Sequence, residues 1–306
     1  MYKTKKEETV GVSAQKPAWL RTRIRPQDHY VNFIGELKNS SLHTVCAEAH
    51  CPNQPDCFNR GIATFLLLGP YCTRNCTFCA VRKDPILLPD PDEPERIASA
   101  VSQMGIKYCV ITMVTRDDLP DGGADHIVRT IEKIHEKCPG IGVEILISDL
   151  NGDWDALRSV VSSGPEVLNH NIETVPRLYR KIRPQANYLR SIRLLNHAAS
   201  QAPSLVTKSG LMLGLGETKG EIRNTLENLR EVGCQLLTLG QYLAPSNEHY
   251  PVIRLVPPEE FENLEAEALS LGFSGVASAP LVRSSYRAEW LYQKAYGKHR
   301  LSMISK

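Results

Sequence analysis

The sequence predicts an α/β fold built on a parallel sheet, and three observations support that prediction. Six short apolar runs rich in β-branched residues recur along the chain. They alternate with longer segments of amphipathic, helical character, and 306 residues suffice for one α/β barrel or two modest domains. The runs are ATFLLLG (63–69), YCVITMV (108–114), VEILI (143–147), EVLNHNIE (166–173), KSGLMLGLG (208–216) and QLLTLGQYL (235–243). Doubly wound and barrel architectures satisfy this alternation equally well.

The intervening segments include EPERIASAVSQMG, GGADHIVRTIEKIHEKC and TKGEIRNTLENLREVG. In the last of these, Ile222, Leu226 and Leu229 repeat at helical spacing, and Gly233 supplies a C-terminal stop. Residues 1–60 read as an irregular N-terminal extension, because KPAWLRTRIRPQ and PNQPDC interrupt any long element. Residues 61–255 hold the six alternations, and residues 256–306 read as a C-terminal cap with two helices. There is no internal repeat and no low-complexity tract.

Composition narrows the function. Hydrophobic residues make up 42% and charged residues 23%, ordinary for a globular enzyme, and a net charge of +2 offers no nucleic-acid footprint. No apolar run approaches the roughly 20 residues of a membrane helix. The N-terminus MYKTKKEETVGVSAQ lacks both an apolar signal core and an Arg-rich, acid-poor transit pattern, so the expected location is cytoplasmic, with no membrane or nucleic-acid partner. In a reducing compartment nine cysteines point to metal or redox chemistry rather than disulfides. Cys109, Cys138 and Cys234 are scattered and read as packing thiols.

The other six form two triplets. CAEAHCPNQPDC places Cys46, Cys51 and Cys57 at C-x4-C-x5-C, and PYCTRNCTFCAV places Cys72, Cys76 and Cys79 at C-x3-C-x2-C. The second triplet directly follows the first predicted strand, at the end of a parallel sheet where active sites form. Three thiolates leave one corner of a tetrahedral site open, whereas a structural zinc site is closed by a fourth ligand. A four-iron cluster with one open iron fits better, because that iron can take a ligand or substrate. For the upstream triplet, a zinc knuckle completed by His50 is the competing reading.

C-x3-C-x-aromatic-C, with Phe78 as the aromatic residue, resembles the signature of the radical S-adenosylmethionine enzymes, and GLMLGLGE (Gly210–Glu217) resembles that family's adenine-side stretch on its fifth strand. No Lys-Ser/Thr follows GLGE, so a phosphate loop is not supported. With the upstream C-x4-C-x5-C the arrangement is similar to that of the lipoyl synthases. KPAWLR, CPNQPDCFNRGIATFLLLG, TRDDLPDGGA, NHNIETVPRLYRKIRP, TKSGLMLGLGET, LTLGQYLAPS and PLVRSSY extend the likeness over nearly the whole chain. The resemblance implies a partial (β/α)6 TIM-type barrel whose mouth is capped by the N-terminal and C-terminal extensions. It implies two [4Fe-4S] clusters, S-adenosylmethionine as cofactor, and insertion of two sulfurs at C6 and C8 of a protein-bound octanoyl-lysine. Cys72, Cys76 and Cys79 would hold the cluster that cleaves S-adenosylmethionine. Cys46, Cys51, Cys57 and a serine of RSSY would hold an auxiliary cluster that donates sulfur, with Ser285 expected as that serine and Ser284 as the alternative.

By the same resemblance Phe78, Thr112, Asn171, Glu173, Gly214 and Glu217 are candidate cofactor contacts, with Asn171 and Glu173 suited to a ribose. Asp117 and Asp118 read as structural, since radical hydrogen abstraction needs no ordinary general base, while Arg116 and Arg183 suit either a carboxylate or a loop anchor. The implied partners are octanoylated lipoyl carrier domains (dehydrogenase-complex E2 subunits and glycine cleavage H protein), a flavodoxin- or ferredoxin-type electron donor and an iron–sulfur carrier. The basic tail QKAYGKHRLSMISK is a candidate docking element. Thr115 and Arg287 depart from the residues usual in the family, Asp and His. A tRNA methylthiotransferase would need a basic domain for which this chain has no spare length. A biotin synthase-like enzyme would draw its second set of ligands from barrel strands. The non-enzymatic alternative is a zinc-stabilised binding protein.

Overall fold

Seven strands form one parallel sheet in strict sequence order: β1 (Thr64–Leu67), β2 (Tyr108–Met113), β3 (Gly142–Leu146), β4 (Val167–Asn169), β5 (Val206–Leu213), β6 (Leu236–Gln241) and β7 (Gly275–Ser278). The computed structural model describes residues 17–21, 30, 31, 34, 35, 37 and 40–297. Both faces of β1 and β2 are buried, which explains their unbroken apolar runs. The longer helices return the chain between strands: α3 (Glu93–Met104), α4 (Ala124–Lys137), α5 (Trp154–Ser162), α7 (Tyr188–Gln201), α8 (Lys219–Glu231) and α9 (Pro258–Ser270). Three shorter ones are α1 (Val45–Glu48), α2 (Gln54–Asn59) and α6 (Tyr179–Ile182).

Local chemistry sets these boundaries. A capping box starts α8: the Thr218 hydroxyl accepts from Glu221 N, and the Glu221 carboxylate accepts from Thr218 N. Gly105, at φ 60°, closes α3 in the left-handed region that favours glycine. Ile127, Ile131 and Ile134 of α4 are fully buried in one core with Ile111, Val143 and Ile145 from the odd-numbered face of β2 and β3. The opposite face, lined by Tyr108, Val110, Val167, Val206 and Leu236, packs on Leu291 and Tyr292 of α10 (Ala288–Tyr296). The result is a partial barrel with helices outside and the last helix filling part of the inside.

One element differs from expectation. The segment read as a two-helix cap contains both helices, α9 and α10, but also β7, which pairs with β6 and extends the sheet to seven strands. Its sequence, GVAS, is too short and too poor in β-branched residues to announce a strand; pairing along β6 makes it one. The N-terminal extension has only short described elements, and its Thr44 bridges antiparallel to Phe65 of β1. Among the described residues no helix is long and apolar enough to cross a membrane.

After β7 the chain runs back across the inner face. Gln241 N donates to Pro280 O at 3.1 Å. A Cβ on Gly240 would collide with the Val282 carbonyl oxygen, so β6 needs glycine there for the segment to lie against it. We expect Gly240→Ala to destabilise the protein by about 1–3 kcal/mol through overpacking, measured by urea denaturation.

Candidate functional site

The loop after β1 carries Cys72, Cys76 and Cys79, and backbone hydrogen bonds fasten it on several sides. Cys72 N donates to Arg82 O at 2.8 Å, Thr73 N to Thr115 O at 3.0 Å, and Thr77 N to Ile182 O at 3.0 Å. Arg74, between the first two thiols and 3% exposed, turns into the rim of the barrel. Its Nε and Nη2 donate to Asp117 at 2.7 and 2.8 Å, and Nη2 also reaches Asp149 Oδ1 at 2.6 Å. Arg116 forks onto Asp118 at 2.8 and 2.7 Å. The RDD carboxylates therefore bind guanidinium groups and do not face one another as an acid–base pair.

Burial pushes the Cys79 thiol up to about 11 and raises Cys76, and Cys72 adds to both shifts. Opposing this are two cations. Lys83 lowers both thiols and Arg183 lowers Cys76. Lys83 Nζ and Arg183 Nε are shielded from solvent and have no hydrogen-bond partner among the described residues. Burying a cation is costly unless it is paired. Glu173 offsets part of the Arg183 charge, and a four-iron cluster, net negative once held by three thiolates, would offset more, so the residues present fit a cluster.

Glu173 stands beside Cys76 and Arg183. Burial raises its carboxyl pKa, while Arg183 and the Asn171 side chain pull it down. Its backbone lies in the left-handed region, at φ 65°. Phe78 packs against a cluster of Val175, Leu178, Ile182, Leu215 and Tyr242, which brings the cysteine loop against the loops after β4 and β5. Gly214 has φ 96°, and a Cβ there would strike Arg254 O. Glu217 uses both carboxylate oxygens on that loop, accepting from Gly214 N at 2.6 Å and Leu215 N at 2.9 Å, so it shapes the backbone a cofactor would meet. Thr112 is buried and donates to Leu146 O at 3.1 Å across neighbouring strands.

The upstream triplet lies along the β1 edge. Cys46 is on α1, Cys57 on α2, and Cys51 on the turn between them, where Cys51 N donates to Cys46 O at 3.1 Å. Burial pushes Cys46 to about 11 and Cys57 to about 12, with Cys51 raising both and Cys46 raising Cys57. His50 is exposed in a left-handed turn. Among the described residues no group of three His, Cys, Asp or Glu is arranged to hold a single metal ion. The C-terminal segment closes over this triplet. Asn53 Nδ2 donates to Leu281 O at 2.7 Å, and the Arg283 guanidinium interacts with Cys51.

Within RSSY the two serines differ. The Ser284 hydroxyl accepts from Asn169 Nδ2 at 2.7 Å and donates to Asn171 Oδ1 at 2.9 Å. The Ser285 hydroxyl has no hydrogen bond among the described residues. Sequence reasoning missed Arg74, Lys83 and Asn169. The only signal for Arg74 was its place between two cysteines, and no pattern marked the others. Of the tail cations, Lys294 pairs with Glu265 and lies over the Trp290 ring, while Lys298, His299, Arg300 and Lys306 lie outside the described residues.

Residues 66–229 match the model of the Radical SAM superfamily. The solved structure of HydG, a maturase of the [FeFe]-hydrogenase, superimposes with a TM-score of 0.55 at 19% identity, over 69% of this chain and 50% of that one, which shows a shared fold. Fold and site thus define a radical S-adenosylmethionine protein. The chain is also 53% identical over 278 residues to the lipoyl synthase of Caldicellulosiruptor saccharolyticus, covering 91% of this chain and 98% of that one. It is 53% identical over 280 residues to that of Desulfotalea psychrophila, covering 92% and 94%. The chain belongs to the lipoyl synthase family, whose members work with S-adenosylmethionine and two [4Fe-4S] clusters.

His170, between the two asparagines that hold Ser284, gives a pH test of this region. It is buried, with Nδ1 3.0 Å from Ile147 O and Nε2 2.8 Å from Ser191 Oγ, and burial lowers its pKa from 6.5 to about 4. The folded value lies below the unfolded one, so its contribution is fully present above pH 6.5 and is lost as pH falls toward 4. We expect the wild type to lose roughly 3 kcal/mol more stability than His170→Gln over that interval, measured by urea denaturation at fixed pH values.

Proposed function

We propose that this chain inserts sulfur at C6 and C8 of an octanoyl group carried on a lysine of a lipoyl carrier domain, such as a dehydrogenase-complex E2 subunit or glycine cleavage H protein. The supporting observation is that the chain carries two cysteine triplets, each beside a cation, one on the loop after β1 and the other held to the C-terminal segment through Asn53 and Arg283. When bound, the cluster on Cys72, Cys76 and Cys79 supplies the electron that generates a carbon-hydrogen-abstracting radical from S-adenosylmethionine. The rest is the work of this chain's residues. Lys83 and Arg183 offset the charge of that cluster. Phe78, Asn171, Glu173 and the Gly214–Glu217 loop line the cofactor's place, with Thr112 in the adjoining sheet.

Cys46, Cys51 and Cys57 hold the auxiliary, sulfur-donating cluster, and Ser285 is its fourth ligand. Ser284 is engaged on both sides by asparagines, which favours its neighbour. An oxygen ligand is harder than a thiolate and suits iron in a sulfur site less well, so Ser285 would hold the cluster more weakly than the three cysteines. A flavodoxin- or ferredoxin-type donor supplies electrons and an iron–sulfur carrier restores the cluster. All nine cysteines are unpaired, in keeping with a reducing cytoplasm.

Anaerobic reconstitution should give a brown protein with about eight irons per chain. With S-adenosylmethionine, a strong reductant and an octanoyl-lysyl peptide, mass spectrometry should then show gain of two sulfurs. Cys79→Ala should abolish S-adenosylmethionine cleavage and retain the auxiliary irons. A colourless protein with about two zincs would overturn the reading.

A further inference from the structure

The inner face of the sheet carries polar groups where aliphatic side chains normally fill a barrel. In-register pairing puts Leu66, Thr112, Leu146, Asn169, Lys208, Leu236 and Gly275 in one row across all seven strands, and Glu144 lies one layer below. Lys208 Nζ is 2.7 Å from Glu144 Oε1, and both side chains are fully buried. Tyr108 donates its hydroxyl to Glu144 Oε2 at 3.0 Å, and Asn169 Nδ2 donates to Glu144 Oε1 at 3.3 Å. A buried ion pair is a poor way to gain stability, because desolvation offsets most of its attraction. Its place in the core points to another use.

That use lies one bond further on. The amide nitrogen of Asn169 that meets Glu144 also donates to Ser284 at 2.7 Å. On its other side Ser284 donates to Asn171, whose backbone oxygen accepts from Arg183 Nη1 at 2.9 Å. Below, Gly240 admits the backbone at Val282, and above, Tyr286 N donates to Arg283 O at 2.9 Å to close a turn over both serines. Ser284 is therefore fixed from the barrel interior, and Ser285 shares its turn.

We infer that Ser284 is a positioning residue: the Lys208–Glu144 pair orients Asn169, the two asparagines grip Ser284, and this grip sets the direction in which Ser285 meets the cluster on Cys46, Cys51 and Cys57. The inference rests on the reading of Ser285 as iron ligand and extends it. A serine oxygen is a weak partner for this iron, and holding it in place beforehand removes the ordering cost that would prevent a weak bond from forming. The same grip returns the hydroxyl to one place each time the cluster is replaced.

The test uses the reconstituted full-length chain. In Ser284→Ala the backbone amides of residues 282–286 should exchange about tenfold faster than in the wild type, the effect of losing roughly one net hydrogen-bond energy from a local opening. Ser284→Thr, which keeps the hydroxyl, should restore the slow exchange. Mössbauer spectra should show a single oxygen-ligated iron environment in the wild type and Ser284→Thr, and more than one in Ser284→Ala. Should Ser284→Ala fail to fold, Asn171→Ala removes one side of the grip and should move both readouts in the same direction. Wild-type exchange together with a single wild-type iron signal in these variants overturns the inference. The ligand reading fails separately, if Ser285→Ala leaves the oxygen-ligated signal unchanged.

Discussion

One constraint organises this molecule: the parallel sheet does not close. Strands run from β1 to β7 in order, and among the described residues the first and last do not pair. The extension before β1 carries one triplet, the segment after β7 carries RSSY, and the Asn53–Leu281 hydrogen bond joins them. A closed barrel would be a packed core with room only above its loops. An open one lets a peptide segment and a helix enter the inner face, which brings Leu281 to Asn53 beside the upstream thiols.

Electrostatics does the complementary task. Burial raises the Cys46, Cys57, Cys76 and Cys79 thiols and so favours their neutral form, and nearby cations counter only part of that effect at Cys57, Cys76 and Cys79. Loading the sites must therefore release protons as thiolates form, which couples metal binding to pH. Arg74 fixes the loop between Cys72 and Cys76 to two strand ends at once through Asp117 and Asp149, so that triplet is anchored before any cluster arrives.

Much of this was legible in the sequence, for identifiable reasons. Strands β1–β6 declare themselves through short apolar runs, unbroken in β1 and β2 where both faces are buried, and α8 because its cap and stop are local chemistry. The thiol spacings mark candidate cluster ligands because three thiolates leave one corner of a metal site open. What stayed hidden depends on distance along the chain. β7 is a strand only because β6 lies beside it. Glu217 accepts from Gly214 N and Leu215 N, a pairing that its place in the sequence does not reveal. The two serines are neighbours in sequence, and the hydrogen bonds of Ser284 to Asn169 and Asn171, more than a hundred residues away, separate them in the structure.

The account turns on both triplets serving one acyl chain, the downstream one to activate carbon and the upstream one to yield sulfur. The most direct measurement is a single turnover by protein whose clusters were assembled with heavy-isotope sulfide, run with no sulfide in the medium. The account predicts a lipoyl product in which both sulfur atoms are heavy, with loss of the auxiliary cluster and survival of the other. Product carrying unlabelled sulfur, or formed while the auxiliary cluster stays intact, would contradict it.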